Sequence, residues 1–185
     1  MILYILLAVS VLLVLWVIST YNFFVSTKTR VGASIQEIGN QLKRQADLIP
    51  NLEASAKGYL THEKGIFEEL TNARKAVVAA SGSNDVNKMS QAGKMLSDVL
   101  PKIQVVVESN PEIKGSTVVT DLMDQLRDTS DKVMYARRLL IDLTADYNVK
   151  RVAFPSNFIA GMFHFEVLKG LETNEEEMKT PKVDF

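Results

Sequence analysis

Apolar and polar positions divide this chain into two regimes. The run Ile2-Leu-Tyr-Ile-Leu-Leu-Ala-Val-Ser-Val-Leu-Leu-Val-Leu-Trp-Val-Ile18 is unbroken by charge, and Lys28 is the first charged side chain. At 1.5 Å rise per residue, the stretch from Met1 to about Tyr21 reaches roughly 30 Å, the thickness of a bilayer's hydrocarbon core. Beyond it, apolar residues recur every three or four positions, which predicts helices throughout. Val31, Ile35, Ile38, Leu42 and Ala46 form one stripe that extends the first helix, with Lys28, Arg30, Gln36, Lys43 and Arg44 on its other faces. Pro50 is expected to end or kink this helix, because proline lacks an N–H and pushes Ile49 away from αR.

A second helix reads Leu52, Ala56, Tyr59, Ile66, Leu70, Ala73 and Val77, and closes at Ser81-Gly82-Ser83. Asn84 or Asp85 can cap the third, whose seam is Val86, Met89, Gly93, Leu96, Leu100, Ile103 and Val107. Pro101 should bend that helix without abolishing it, and Ser109-Asn110-Pro111 is a stop. The fourth helix, Thr117 to Arg151, places Val119, Leu122, Leu126, Thr129, Val133, Ala136, Leu140, Leu143 and Tyr147 in one unbroken three-four rhythm. Such a seam belongs to an antiparallel four-helix bundle with short connections. Phe154-Pro155 breaks it, and Asn157 can cap a last apolar helix from Phe158 to about Leu171. That segment carries Phe158, Ile159, Met162, Phe163, Phe165, Val167 and Leu168 over more than one face. It reads as a lid on the bundle, as an interfacial helix on the membrane or as a contact for a neighbouring subunit. The fold class is therefore all-α. An anchor spans 1–21, the bundle 22–153, the apolar C-terminal helix 154–171 and an acidic tail 172–185.

The first segment could be a signal peptide, a buried core helix or a retained anchor. Nothing basic precedes it, and Trp16 and Tyr21 at its end suit the membrane–water interface better than a cleavage site. Core helices of this length have a polar face. A retained single-pass anchor fits best. Lys28, Arg30, Lys43 and Arg44 follow it, so the positive-inside rule puts Met1 outside and the body in the cytoplasm; the alternative is a periplasmic or extracellular body. The absence of cysteine suits a reducing compartment and excludes lipidation at cysteine. With 21 basic against 22 acidic residues, net charge −1, no global field favours nucleic acid.

At Leu42-Lys43-Arg44-Gln45-Ala46-Asp47-Leu48-Ile49-Pro50-Asn51-Leu52 the chain resembles the LemA family of bacterial membrane proteins. The resemblance extends from Leu15-Trp16-Val17-Ile18-Ser19-Thr20-Tyr21-Asn22 through Lys57-Gly58-Tyr59, His62-Glu63-Lys64, Asn72-Ala73-Arg74, Ala136-Arg137-Arg138 and Asp146-Tyr147-Asn148. It ends with Phe154-Pro155-Ser156-Asn157-Phe158-Ile159-Ala160-Gly161 and Lys182-Val183-Asp184-Phe185. The resemblance implies an anchor with an outside N-terminus, a four-helix body and no established enzymatic activity. Some members are tied to membrane-compartment formation, and some are encoded near a membrane zinc protease. Departures from the family pattern are Gln45 for a basic residue and Glu53 for an apolar one. Thr129-Ser130-Asp131-Lys132 replaces Thr-Glu-Asn-Arg, and Pro101 falls where a straight helix is expected.

The residues offer little chemistry. His62 and His164 have no metal-site partner at helical spacing, and His62-Glu63-Lys64-Gly65-Ile66 fails the His-Glu-x-x-His test at Ile66. No nucleophile elbow or phosphate loop is present. Asp142 and Asp146, with Arg138 one turn earlier, read as a solvated face; a two-carboxylate metal site would need Glu63, Glu68 or Glu69 opposite. Lys43 and Arg44 lie roughly 20 residues, about 30 Å of helix, beyond Tyr21, which favours a protein contact over lipid. The expectation is a non-enzymatic membrane scaffold without cofactor, metal or small-molecule substrate, bound to the lipid bilayer and to copies of itself as a homo-oligomer. The alternative is an accessory subunit of a membrane protease or transporter. Lys43, Arg44, Asp47, Pro50, Asn51, Tyr59, Phe158 and Phe163 are the interaction or structural candidates, and Trp16 and Tyr21 the interfacial anchors.

Overall fold

The three-four rhythm of the body is realised as helix, and no strand occurs among the described residues. A computed structural model describes residues 1–56, 64–83 and 85–171. Its helices are α1 (Ile2–Ala56), α2 (Lys64–Ser81), α3 (Val86–Ser109), α4 (Pro111–Lys114), α5 (Thr117–Val152) and α6 (Ser156–Met162). The chain divides into two compact units, one formed by Met1–Ser34 with Arg138–Gly170 and the other built on Ile35–Arg137. α1 and α5 each lend residues to both.

The unit built on Ile35–Arg137 is the four-helix bundle. Ile38, Leu42, Ile49 and Leu52 of α1, Leu70 and Val77 of α2, Leu96 and Ile103 of α3, and Leu126 of α5 are almost wholly removed from solvent. Each such side chain contributes about 1.5–3 kcal/mol by leaving water. α1 and α2 run antiparallel: Arg74 Nε donates to the Ala46 carbonyl at 3.0 Å, and Thr71 Oγ1 to Glu53 Oε1 at 2.8 Å. α2 and α3 form a hairpin whose turn ends at Asp85. That carboxylate caps α3 by accepting from the N–H groups of Asn87 and Lys88 at 3.0 and 3.2 Å. A Cβ on Gly93 would come within 3.2 Å of Leu42 Cδ2, so this glycine sets how closely α3 approaches α1.

Three expectations are corrected here and a fourth, the stop at Pro111, is extended. Pro50 does not end α1; the helix runs on to Ala56, and Leu52 and Ala56 belong to it rather than to a second helix. An interior proline costs about 3 kcal/mol, and the full burial of Ile49 and Leu52 on either side is large enough to offset it. The seam of α3 passes through Val99, with Leu100 only half-buried. Pro111 does not merely stop a helix but opens α4, as suits a residue with no N–H to satisfy at a first helical position. α6 covers seven residues, Ser156 to Met162, instead of extending to Leu171, and Pro155 rather than Asn157 stands at its N-cap. On α5, by contrast, all nine positions of the expected seam are buried. Tyr59, His62, Glu63, Asn84 and the tail from Glu172 lie outside the described residues.

Candidate functional site

In the unit formed by Met1–Ser34 and Arg138–Gly170, α1 first appears as bare apolar surface. It is long and apolar enough to cross a membrane, and none of its most apolar stretch is buried by protein. Protein contacts begin around Thr20. Phe24 is fully buried, with Tyr147 of α5 edge-on at 5.3 Å and Phe165 stacked on it at 4.8 Å. Ala160 of α6 closes this cluster, and Phe23 and Leu168 pack around it. Lys150 Nζ lies 4.4 Å from the centre of the Phe23 ring, a cation–π contact. Tyr21 receives Phe163 edge-on at 4.8 Å and Phe165 at 5.6 Å.

The segment after α6 is held by backbone geometry and by two side chains of α5. The Phe165 N–H bonds the Ala160 carbonyl at 2.9 Å and the His164 N–H bonds that of Gly161 at 3.3 Å. These are the two bonds of a Schellman cap, and His164, at φ 54°, takes the left-handed position that glycine usually fills. The turn sends Phe165 back onto the core. Asn148 then reads both backbone groups of Leu168: its Nδ2 donates to the carbonyl at 2.9 Å and its Oδ1 accepts from the N–H at 3.1 Å. Arg151 Nε donates to the Phe165 carbonyl at 2.9 Å. Burial pushes the Tyr147 phenol above its ordinary pKa, with Arg151 pulling it down and Glu166 raising it. Between α6 and the end of α5 lies an open cleft of about 520 Å³, lined by Arg151, Asn157, His164 and Glu166 among others.

The sequence candidates fall into separate groups. Trp16 and Tyr21 are partly exposed at the end of the apolar run, at 37% and 38%. Phe158 and Phe163 are exposed beside Tyr21's end of this unit, Phe163 in contact with the Tyr21 ring. Lys43, Arg44, Asp47 and Asn51 lie exposed on α1 in the bundle, while Pro50 is half-buried between them and the core. Asp142 and Asp146 are exposed, Glu69 pairs with Lys102 Nζ at 2.6 Å, and no group of three potential metal ligands occurs among the described residues. Arg74, Asn148 and Arg151 were not singled out from the sequence. Arg74 and Asn148 stand in motifs that carry the family resemblance, a weak signal, but partners 14 to 28 positions away in the chain cannot be read from it.

Comparison with known proteins gives two matches. Residues 34–185 match the sequence profile of the LemA family. Magnetosome protein MamQ of Magnetospirillum gryphiswaldense is 24% identical over 187 residues, covering 86% of this chain and 69% of the relative.

Proposed function

The chain belongs to the LemA family, and on that footing we propose a non-enzymatic, membrane-anchored scaffold whose helices associate with further copies of the chain at the bilayer. The reading is carried by the outward side of α5. That helix buries a complete inward seam, yet Met134 and Ile141 remain 65% and 51% exposed on the opposite side, with the exposed Ala145 next in line. Met134 and Ile141 stand one heptad apart and Ala145 one turn further on, which sets the three along one side of the helix, with Arg137 and Arg138 at the positions between the first two. A relative named as a magnetosome protein is in keeping with work at a membrane. The basic flank Lys28, Arg30, Lys43 and Arg44 favours a cytoplasmic body with Met1 outside, in the cell (inner) membrane.

Glycerol-gradient sedimentation of the detergent-purified full chain at micromolar concentration tests the scaffold. A discrete oligomer is expected, shifted to monomer by Met134→Glu with Ile141→Glu; a strictly monomeric wild type overturns the proposal. The second reading, an accessory subunit of a membrane protease or transporter, draws on the exposed row Lys43, Arg44, Asp47 and Asn51. Cross-linking in native membranes separates the two, since one dominant foreign band with no self-cross-link favours the accessory role.

A further inference from the structure

Apolar surface without protein cover does not end with α1. The run that starts at Ile2 reaches the far side of a hydrocarbon core near Tyr21, about 30 Å on. α5 returns antiparallel toward that same point: Tyr147 meets Phe24, and one turn later Lys150 meets Phe23. Its continuation through Phe154 and Pro155 therefore lies at the level where α1 emerges. The other end of the segment is fixed independently, because Phe163 and Phe165 both pack on the Tyr21 ring. α6 is thus held between two points at the membrane exit.

Its inner side is satisfied by Ile159 and Ala160, both buried. Its outer side is not. Phe154, Phe158 and Met162 are 79%, 64% and 67% exposed, and the rings of Phe154 and Phe158 already pack edge-on at 5.9 Å. Three large apolar side chains, Phe154 in the turn before α6 and the other two on the helix, are an unusual surface for water. The chain's own tail is a poor cover, since residues 172–177 include four glutamates. A lipid surface suits it better: the patch continues the anchor through Tyr21, and the last turn of α5 just before Phe154 carries the cations of Lys150 and Arg151, a charge that suits phosphate headgroups.

We propose that Phe154, Phe158 and Met162 insert into the interfacial layer of the bilayer, giving the protein a second membrane contact beside α1. The contact fixes the tilt and rotation of this unit on the membrane surface. It rests on α1 crossing the bilayer and is independent of self-association.

The absence of cysteine makes the test direct, because one introduced thiol is the only one in the chain. Phe158→Cys and, separately, Met162→Cys alter exposed positions and leave the core untouched. Each is labelled with an environment-sensitive fluorophore in the full chain. The chain is reconstituted in vesicles of equal parts phosphatidylcholine and phosphatidylglycerol, some of whose lipids carry a nitroxide near the headgroup or deep in the acyl chain. Leu12→Cys reports the anchor and Asp142→Cys the water. The labels at 158 and 162 are expected to emit at shorter wavelength than the label at 142 and to be quenched by the shallow nitroxide. The label at 12 is expected to be quenched by the deep one. If 158 and 162 behave like 142 while 12 is quenched, the second contact does not exist and the anchor stands. If they are hidden from aqueous iodide yet untouched by either nitroxide, protein covers the patch and the proposal falls. If the label at 12 is itself unquenched, the anchor fails and this proposal with it, leaving self-association to its own test.

Discussion

Ala46 offers a carbonyl that its own helix cannot satisfy. The donor four residues on would be Pro50, which has no N–H, and Arg74 Nε takes its place from α2 at 3.0 Å. Arg74→Met is therefore expected to cost about 1–3 kcal/mol, the penalty for an unpaired part-buried acceptor. In a Pro50→Ala background the helical N–H returns and the same substitution should cost less than half as much. Urea denaturation of the four chains of this cycle measures it, and equal costs in both backgrounds would sink the link. Gln45 shows a similar coupling: its Nε2 donates to Ser130 Oγ at 2.7 Å. Two of the departures from the family pattern are thus bonded partners, a neutral pair where the resemblance implies a basic and an acidic residue. Tyr147 adds a pH dependence. Its buried phenol holds the proton more tightly in the folded state than at the ordinary value of 10.0. Raising pH past that value ionises the unfolded chain first, so this contribution is intact below pH 10.0 and is lost above it. Tyr147→Phe should show a shallower loss of melting temperature above that pH than the wild type does.

At the scale of elements, α5 and α6 behave differently for one reason. The nine seam positions of α5 were legible because periodicity over four heptads leaves a single side to bury, and all nine are buried. The end of α6 was not legible. Its stop is a Schellman cap with His164 rather than glycine in the left-handed position, so the residue that usually announces the turn is missing. The stacking of Phe165 on Phe24, together with the hold of Asn148 and Arg151 on the segment that follows, outweighs the local cost. His164→Gly removes the cost of an L side chain at φ 54° and should stabilise the unit by about 1 kcal/mol. A thermal melt of the full chain reads this as a rise in Tm; a fall would show that the imidazole itself is needed.

For the molecule as a whole, the deciding asymmetry is between α1's first stretch, which no protein covers, and a bundle whose seams are closed. Alkaline carbonate should leave the chain with its vesicles. Val9→Arg together with Leu12→Arg, at about 2.5–3.5 kcal/mol each near a bilayer centre, should release a large share of it. Extraction of the wild type would remove the anchor. The sequence by itself determined the helical class, the long apolar N-terminal helix, the seam of α5 and the family, because each is written in local spacing and side-chain type. Only the tertiary structure decided that α1 passes through Pro50, that α6 stops at Met162 and that Asn148 and Arg151 fasten the segment beyond it. Those outcomes turn on donors and apolar partners brought together from distant parts of the chain, and local spacing carries no record of which distant group will arrive.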